Sequence, residues 1–211
     1  MLIKDIVQRD LATVTPKASL GEVLRILNRN EVRHVPVVED ERLVGIISDR
    51  DIKAALALSL GPGGEPIHRM AGQIMTRDPE TIAPMVAVEA AARIMVTKRI
   101  SALPVIEQGR LTGIVTETDL LRLLSHAMGA LEPSSRVDVI VPGAGSAVSV
   151  SDVISLVEAT GIRISSVMTW TMPAGTLDIV IRLATINPFP AVRALEAKGY
   201  AVRDLGWEAP V

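Results

Sequence analysis

The sequence contains no cysteine in its 211 residues, which excludes disulfides, thiolate nucleophiles and cysteine-ligated zinc. Aromatic residues are almost as scarce: Trp170, Phe189, Tyr200 and Trp207 are the only four, and all lie in the last third. Any nucleobase held by the first two thirds must therefore sit between aliphatic side chains. There is no basic surplus, with 22 Lys and Arg against 24 Asp and Glu and a sequence pI near 6.0, so nothing points to nucleic acid or an anionic membrane. No apolar run approaches the ~20 residues of a membrane span. Lys4, Asp5, Arg9 and Asp10 stand where a signal peptide needs an apolar core. A soluble, cytoplasmic chain with no membrane or nucleic-acid partner is the expectation.

What is present is a repeat. Residues 4–56 and 72–124 align without a gap at a constant offset of 68. Ile6 matches Ile74, Arg9-Asp10 matches Arg77-Asp78, Thr13 and Pro16 match Thr81 and Pro84, and Pro36-Val37 matches Pro104-Val105. Gapless matching of this length marks a duplicated unit, and two copies are too few for a solenoid. A two-fold related pair is expected.

Each copy reads as β-α-β-β-α. In the first, Thr13-Val14-Thr15-Pro16 is a short extended stretch, and Ser19 with Glu22 forms a capping box ahead of the stripe Leu20, Val23, Leu24 and Leu27. Asn30 is the expected C-cap. His34 to Val38 and Leu43 to Ile47 read as strands around the turn Glu39-Asp40-Glu41. The second copy has Ala87 where the first has its capping Ser. Leu60 to Pro66 is a connector and Leu131 to Ser135 a linker.

Residues 136–208 differ. Strands are expected at Arg136 to Val141, Ile162 to Thr171, Thr176 to Ala184 and Tyr200 to Leu205, with helices from Ser151 and after Asn187-Pro188. The order β-α-β-β-α-β is that of a split-βαβ, ferredoxin-like domain.

The repeat holds one constellation with chemical content. Gly45-Ile46-Ile47-Ser48-Asp49-Arg50-Asp51 recurs as Gly113-Ile114-Val115-Thr116-Glu117-Thr118-Asp119. Each places a hydroxyl at a strand-to-helix junction and a carboxylate three residues on. As a capping box, this contributes ~1 kcal/mol per helix. As a nucleotide site, the helix N-terminus takes phosphate and the carboxylate accepts from ribose hydroxyls. His34, His68 and His126 are scattered in no ligand pattern, and there is no nucleophile with a matched base, no P-loop and no dinucleotide fingerprint. Catalysis and a resident metal or cofactor are not expected.

On these motifs, with His34-Val35-Pro36-Val37 and Ala102-Leu103-Pro104-Val105, the chain resembles a tandem CBS-domain pair, residues 1–62 and 70–128. Residues 136–208 resemble an ACT-type domain, mainly in topology. The combination is similar to the acetoin-utilisation accessory proteins. The resemblance implies an α/β (α+β) protein binding an adenine nucleotide (AMP, ADP, ATP) or S-adenosylmethionine in clefts between the copies. It gives Asp51 and Asp119 to ribose, and Ser48 and Thr116 to ribose or phosphate. Thr13, Thr15, Pro16, Thr81, Ala83 and Pro84 would fall along the adenine edge, and His34, Val35, Pro36, Ala102, Leu103 and Pro104 beside the base. Arg50 would add phosphate charge that Thr118 cannot, making the sites unequal. Gly143 and Gly145 would form an effector loop, beside the reading that they are only a turn. The resemblance further implies a homodimer and a regulated enzyme or other partner. The competing reading is a structural dimerisation module with no ligand.

Overall fold

The computed structural model describes residues 1–59, 69–129, 133–141, 149–173 and 175–204. The connector at Leu60 to Pro66, His68, the loop with Gly143 and Gly145, and Trp207 lie outside the described residues. The chain divides into two compact units, Met1–Leu121 and Arg122–Val211.

In the first unit, helix α1 (Leu20–Arg29) begins at Ser19, whose Oγ accepts from the Glu22 N–H at 3.2 Å. The cap is one-sided, because no bond returns from the Glu22 carboxylate among the described residues. Asn30 closes the helix through its side-chain amide, which donates to the Ile26 carbonyl at 3.0 Å. Leu20, Val23 and Leu27 face the core. Strands β1 (His34–Glu39) and β2 (Arg42–Ser48) form an antiparallel hairpin in which His34 pairs with Ser48 and Glu39 with Arg42. Its turn residues Asp40 and Glu41 hold φ of 49° and 62°, the left-handed pair that suits a two-residue hairpin. Helix α2 (Asp49–Ser59) follows, then helix α3 (Ala71–Ile74) and the short strand β3 (Thr76–Arg77).

The second copy reproduces this 68 residues later. Helix α4 (Val88–Lys98), strands β4 (Ala102–Glu107) and β5 (Arg110–Thr116), and helix α5 (Glu117–Ala127) follow in order. Ala102 pairs with Thr116 and Glu107 with Arg110, and the bulge after Val37 recurs after Val105. Pro36 and Pro104 are tolerated because β1 and β4 are edge strands of the hairpins. Their carbonyls accept from the N–H groups of Val14 and Ile82. Thus the expected first strand of each copy is reduced to one parallel bridge, Val14 with Val37 and Ile82 with Val105.

The N-terminal segment of each copy packs on the other copy. Ile3 and Lys4 donate to the carbonyls of Val86 and Pro84, and Gln8 exchanges both backbone bonds with Ile114. Reciprocally, Ala71 and Gly72 donate to the carbonyls of Ala18 and Pro16, and Thr76 pairs with Ile46. This exchange explains the glycine that opens each motif. A Cβ on Gly45 would lie 2.9 Å from the Thr76 carbonyl oxygen, and one on Gly113 would lie 2.7 Å from the Gln8 carbonyl oxygen and collide with Val7. Only a residue without a side chain admits the crossing backbone.

The second unit holds strands β6 (Ser135–Val141), β7 (Ile164–Thr171), β8 (Leu177–Leu183) and β9 (Ala201–Asp204), with helices α6 (Val150–Glu158) and α7 (Phe189–Glu196). The strands form one antiparallel sheet in the order β7-β8-β6-β9, the split-βαβ arrangement. Val137, Val139, Val141, Ile179, Ile181 and Leu183 meet Val153, Val157, Ala191 and Leu195 in its core. Ser149 and Asp152 make a reciprocal cap for α6. Gly175 turns the β7–β8 hairpin at φ 79°, its N–H donating to the Met172 carbonyl at 2.8 Å. Asp138, only 1% exposed, accepts two bonds from Arg136 at 2.7 and 2.8 Å.

Candidate functional site

The two motifs build the same local geometry. Each apolar run ends a strand, and the chain enters a helix at once. Oδ2 of Asp51 accepts from the Ser48 N–H at 2.7 Å and from the Ser48 hydroxyl at 2.6 Å, while the Asp51 N–H donates back to Ser48 Oγ at 3.2 Å. Thr116 and Asp119 repeat these bonds at 2.9, 2.6 and 3.3 Å. Both capping boxes are thus complete, and each uses one carboxylate oxygen.

The second oxygens differ. Oδ1 of Asp51 has no hydrogen-bond partner among the described residues, and Asp51 lines a cleft of about 670 Å³. Oδ1 of Asp119 accepts from the Gln8 side-chain amide at 3.3 Å, and Asp119 is 7% exposed.

The cleft at Asp51 lies between the copies within the first unit. Its walls come from the β2–α2 junction, from Thr76 and residues 78–80, and from residues 99–102 leading into β4. Ile46, Pro79, Ile100 and Ala102 supply aliphatic surface, and Ser48, Thr76 and Ser101 supply hydroxyls. Arg33, Arg50 and Arg99 supply positive charge. Among the carboxylates present, Asp49 is held by Lys53 and Glu80 by Lys98, each at 2.9 Å. The Lys53 hydrogen bond draws the Asp49 pKa below its ordinary value. His34 bonds across the copies to Ser101, Nε2 to Oγ, at 3.0 Å. Burial chiefly lowers its pKa, helped by Arg33 and opposed by Asp49 and Asp51.

Of the residues expected at a ligand site, the cleft brings together His34, Ser48, Arg50, Asp51 and Ala102. Val35 and Leu103 are fully buried and pair with Ile47 and Val115. Pro36 and Pro104 are buried beside them. Thr13, Thr15, Thr81 and Ala83 are exposed, and the carbonyls of Pro16 and Pro84 are taken by the exchanged segments. Thr116 and Asp119 form the second motif under Gln8. Thr76, Asp78, Pro79 and Ser101 were not legible as site residues, and Arg99 stands at the Asp51 cleft. Among the described residues no group of three or more His, Asp or Glu could hold a metal ion, and no helix is long and apolar enough to cross a membrane.

A duplicated hairpin-and-helix unit with exchanged N-terminal segments, a cleft between the copies and an aspartate at each motif's end defines a tandem repeat pair. The family model of the CBS domain matches residues 3–58 and 71–126, and the chain belongs to the CBS-domain family. A CBS domain-containing protein of Dictyostelium discoideum is 33% identical over 144 residues, 64% of this chain and 99% of its own. An inosine-5'-monophosphate dehydrogenase of Korarchaeum cryptofilum is 33% identical over 146 residues, 69% of this chain but only 28% of its own. Among solved structures, the CBS pair of MJ0100 in complex with 5'-methylthioadenosine and S-adenosylmethionine aligns at TM-score 0.54 and 33% identity, over 60% of this chain and 97% of its own. CBSX2 in complex with AMP aligns at 0.51 and 27%, over 59% and 96%. The Vibrio cholerae protein AcuB, provisionally assigned to acetoin utilization, aligns at 0.56 and 26%, over 62% and 96%.

Proposed function

We propose that this chain is a non-catalytic regulatory protein whose CBS pair senses an adenosine ligand (AMP, ADP, ATP or S-adenosylmethionine) in the cleft at Asp51. The observation that carries this reading is the open carboxylate oxygen of Asp51, beside a helix N-terminus, in a cleft with aliphatic walls and three arginines. The ribose diol donates to Asp51, the adenine lies between Ile46, Pro79, Ile100 and Ala102, and Arg50 meets phosphate. The adenosine ligands bound by MJ0100 and CBSX2 support it. Occupancy of one arrangement of the two copies biases the C-terminal split-βαβ domain, read as ACT-like, or a regulated enzyme. A role in cytoplasmic acetoin utilisation draws its support from the likeness to AcuB. A second copy of the chain is the proposed partner, joined edge to edge at β7, which ends its sheet and carries the partly exposed Trp170.

The test is thermal unfolding with each of the four ligands. A ligand at ~100 times its dissociation constant stabilises the native state by about 2.7 kcal/mol. No shift from any of them at millimolar concentration rejects the reading. The completed capping boxes favour the alternative, a ligand-free dimerisation module, for which Asp51→Ala would alter stability alone.

A further inference from the structure

The geometry points to a CBS pair with one working cleft: Gln8 occupies the carboxylate of the second motif, so each chain takes a single adenosine ligand, at Asp51. This rests on the reading of the Asp51 cleft given above.

Residue n of one copy stands where residue n + 68 stands in the other, in the hairpin registers, in the exchanged segments and in the capping boxes alike. The two motifs can therefore be compared place by place. Gln8 and Thr76 are counterparts. Each crosses to the other copy and pairs with the isoleucine after the motif's glycine, Gln8 with Ile114 and Thr76 with Ile46. The backbone delivering the two side chains is the same, so their lengths decide the difference. The Gln8 amide reaches Asp119 Oδ1 at 3.3 Å. Thr76 is too short to do this, and it lines the cleft while Oδ1 of Asp51 stays open to it. Gln8 is not a loose side chain on a mobile tail, because its N–H and carbonyl each bond to Ile114 at 3.0 Å. A ribose diol approaching Asp119 would have to displace an amide that already donates to the same oxygen.

Charge at the two motifs differs at two counterpart positions. At counterpart positions Arg50 becomes Thr118 and Arg99 becomes Glu31. The second exchange occurs on an unchanged scaffold, since Arg99 and Glu31 both hold left-handed backbone, with φ of 56° and 53°. The difference is partial, because Ala12 stands opposite Glu80 and the Arg33 guanidinium donates to Thr118 Oγ1 at 3.4 Å. Blocking of the diol acceptor by Gln8 is what disfavours a nucleotide there.

Isothermal titration calorimetry of the full chain with AMP, ADP, ATP and S-adenosylmethionine, each alone, tests this. One equivalent per chain is expected for whichever probe binds. Asp51→Asn should weaken it at least tenfold, and Asp119→Asn should leave it within about twofold. Thr76→Gln, which places the same amide opposite Asp51, should weaken binding at least tenfold with the unfolding temperature unchanged. The double variant Gln8→Thr, Thr118→Arg should gain a second equivalent. Two equivalents in the unaltered chain overturn the inference, as does loss of binding in Asp119→Asn with retention in Asp51→Asn. A folded double variant that still takes one equivalent overturns it too. Absence of heat with all four probes overturns the reading of the Asp51 cleft itself, and the inference falls with it.

Discussion

His34 and Ser101 meet at 3.0 Å, Nε2 to Oγ, and the bond joins the two copies where both residues line the cleft. It belongs to a neutral imidazole as readily as to a charged one. The surroundings favour the neutral form, because burial outweighs the carboxylates of Asp49 and Asp51.

That preference gives stability a pH dependence. An unfolded chain protonates this histidine near the usual pKa of about 6.5, whereas the folded chain resists until lower pH. Between the two values the unfolded state binds more protons, so stability falls as pH falls. Above that window the contribution is fully present. Unfolding temperatures from pH 5 to 8 should show a slope below pH 6.5 that shrinks in His34→Gln. An unchanged slope would place the titration elsewhere.

Gly45 and Gly113 should resist any side chain. Each is crossed by a backbone carbonyl within 2.9 Å of where a Cβ would stand, so Ala at either site should cost about 1–3 kcal/mol in urea unfolding, as overpacking does. Gly21, in α1 with nothing within 4 Å of a built Cβ, should behave oppositely, Ala gaining about 0.5–1 kcal/mol. Equal effects at the three sites would contradict the exchange of segments.

Ser48→Ala removes the hydroxyl that accepts from the Asp51 N–H. The expected loss is ~1 kcal/mol of stability. Asp51→Asn keeps a side-chain acceptor for the cap and replaces the carboxylate, so ligand affinity should fall more than stability. Comparing denaturant midpoints with ligand titrations separates cap from site.

In the second unit, Arg136→Met would leave the Asp138 carboxylate buried without its bidentate partner. A loss of about 3–5 kcal/mol is expected in chemical denaturation. Adding Asp138→Leu should recover most of it, since removing both charges also removes the desolvation penalty.

Much of this was legible in the sequence. The offset of 68 revealed the duplication, alternation and turn residues gave the hairpins, and the hydroxyl-to-aspartate spacing gave the caps. The crossing of residues 3–8 and 71–76 was not legible, because a repeat reads identically whether each segment packs on its own copy or on the other. The exchange brings Thr76, with Asp78, Pro79 and Glu80 behind it, to the Asp51 cleft. Val35 and Leu103 came to the site from the resemblance alone; in the fold both are fully buried and pair with Ile47 and Val115.

The exchanged segments also impose an order on synthesis. Residues 3–8 emerge from the ribosome long before the strand that Gln8 pairs with, which ends at Thr116. Closing so long a span is slower than forming local contacts. Until residues 71–76 arrive, the outer edge of β2 has no partner from its own chain. Two nascent first copies on neighbouring ribosomes can cover that edge for one another, each lending its residues 3–8 where residues 71–76 belong. The duplication within one chain is thus also a template for entangled dimers, which a slow-translating stretch between the copies would promote.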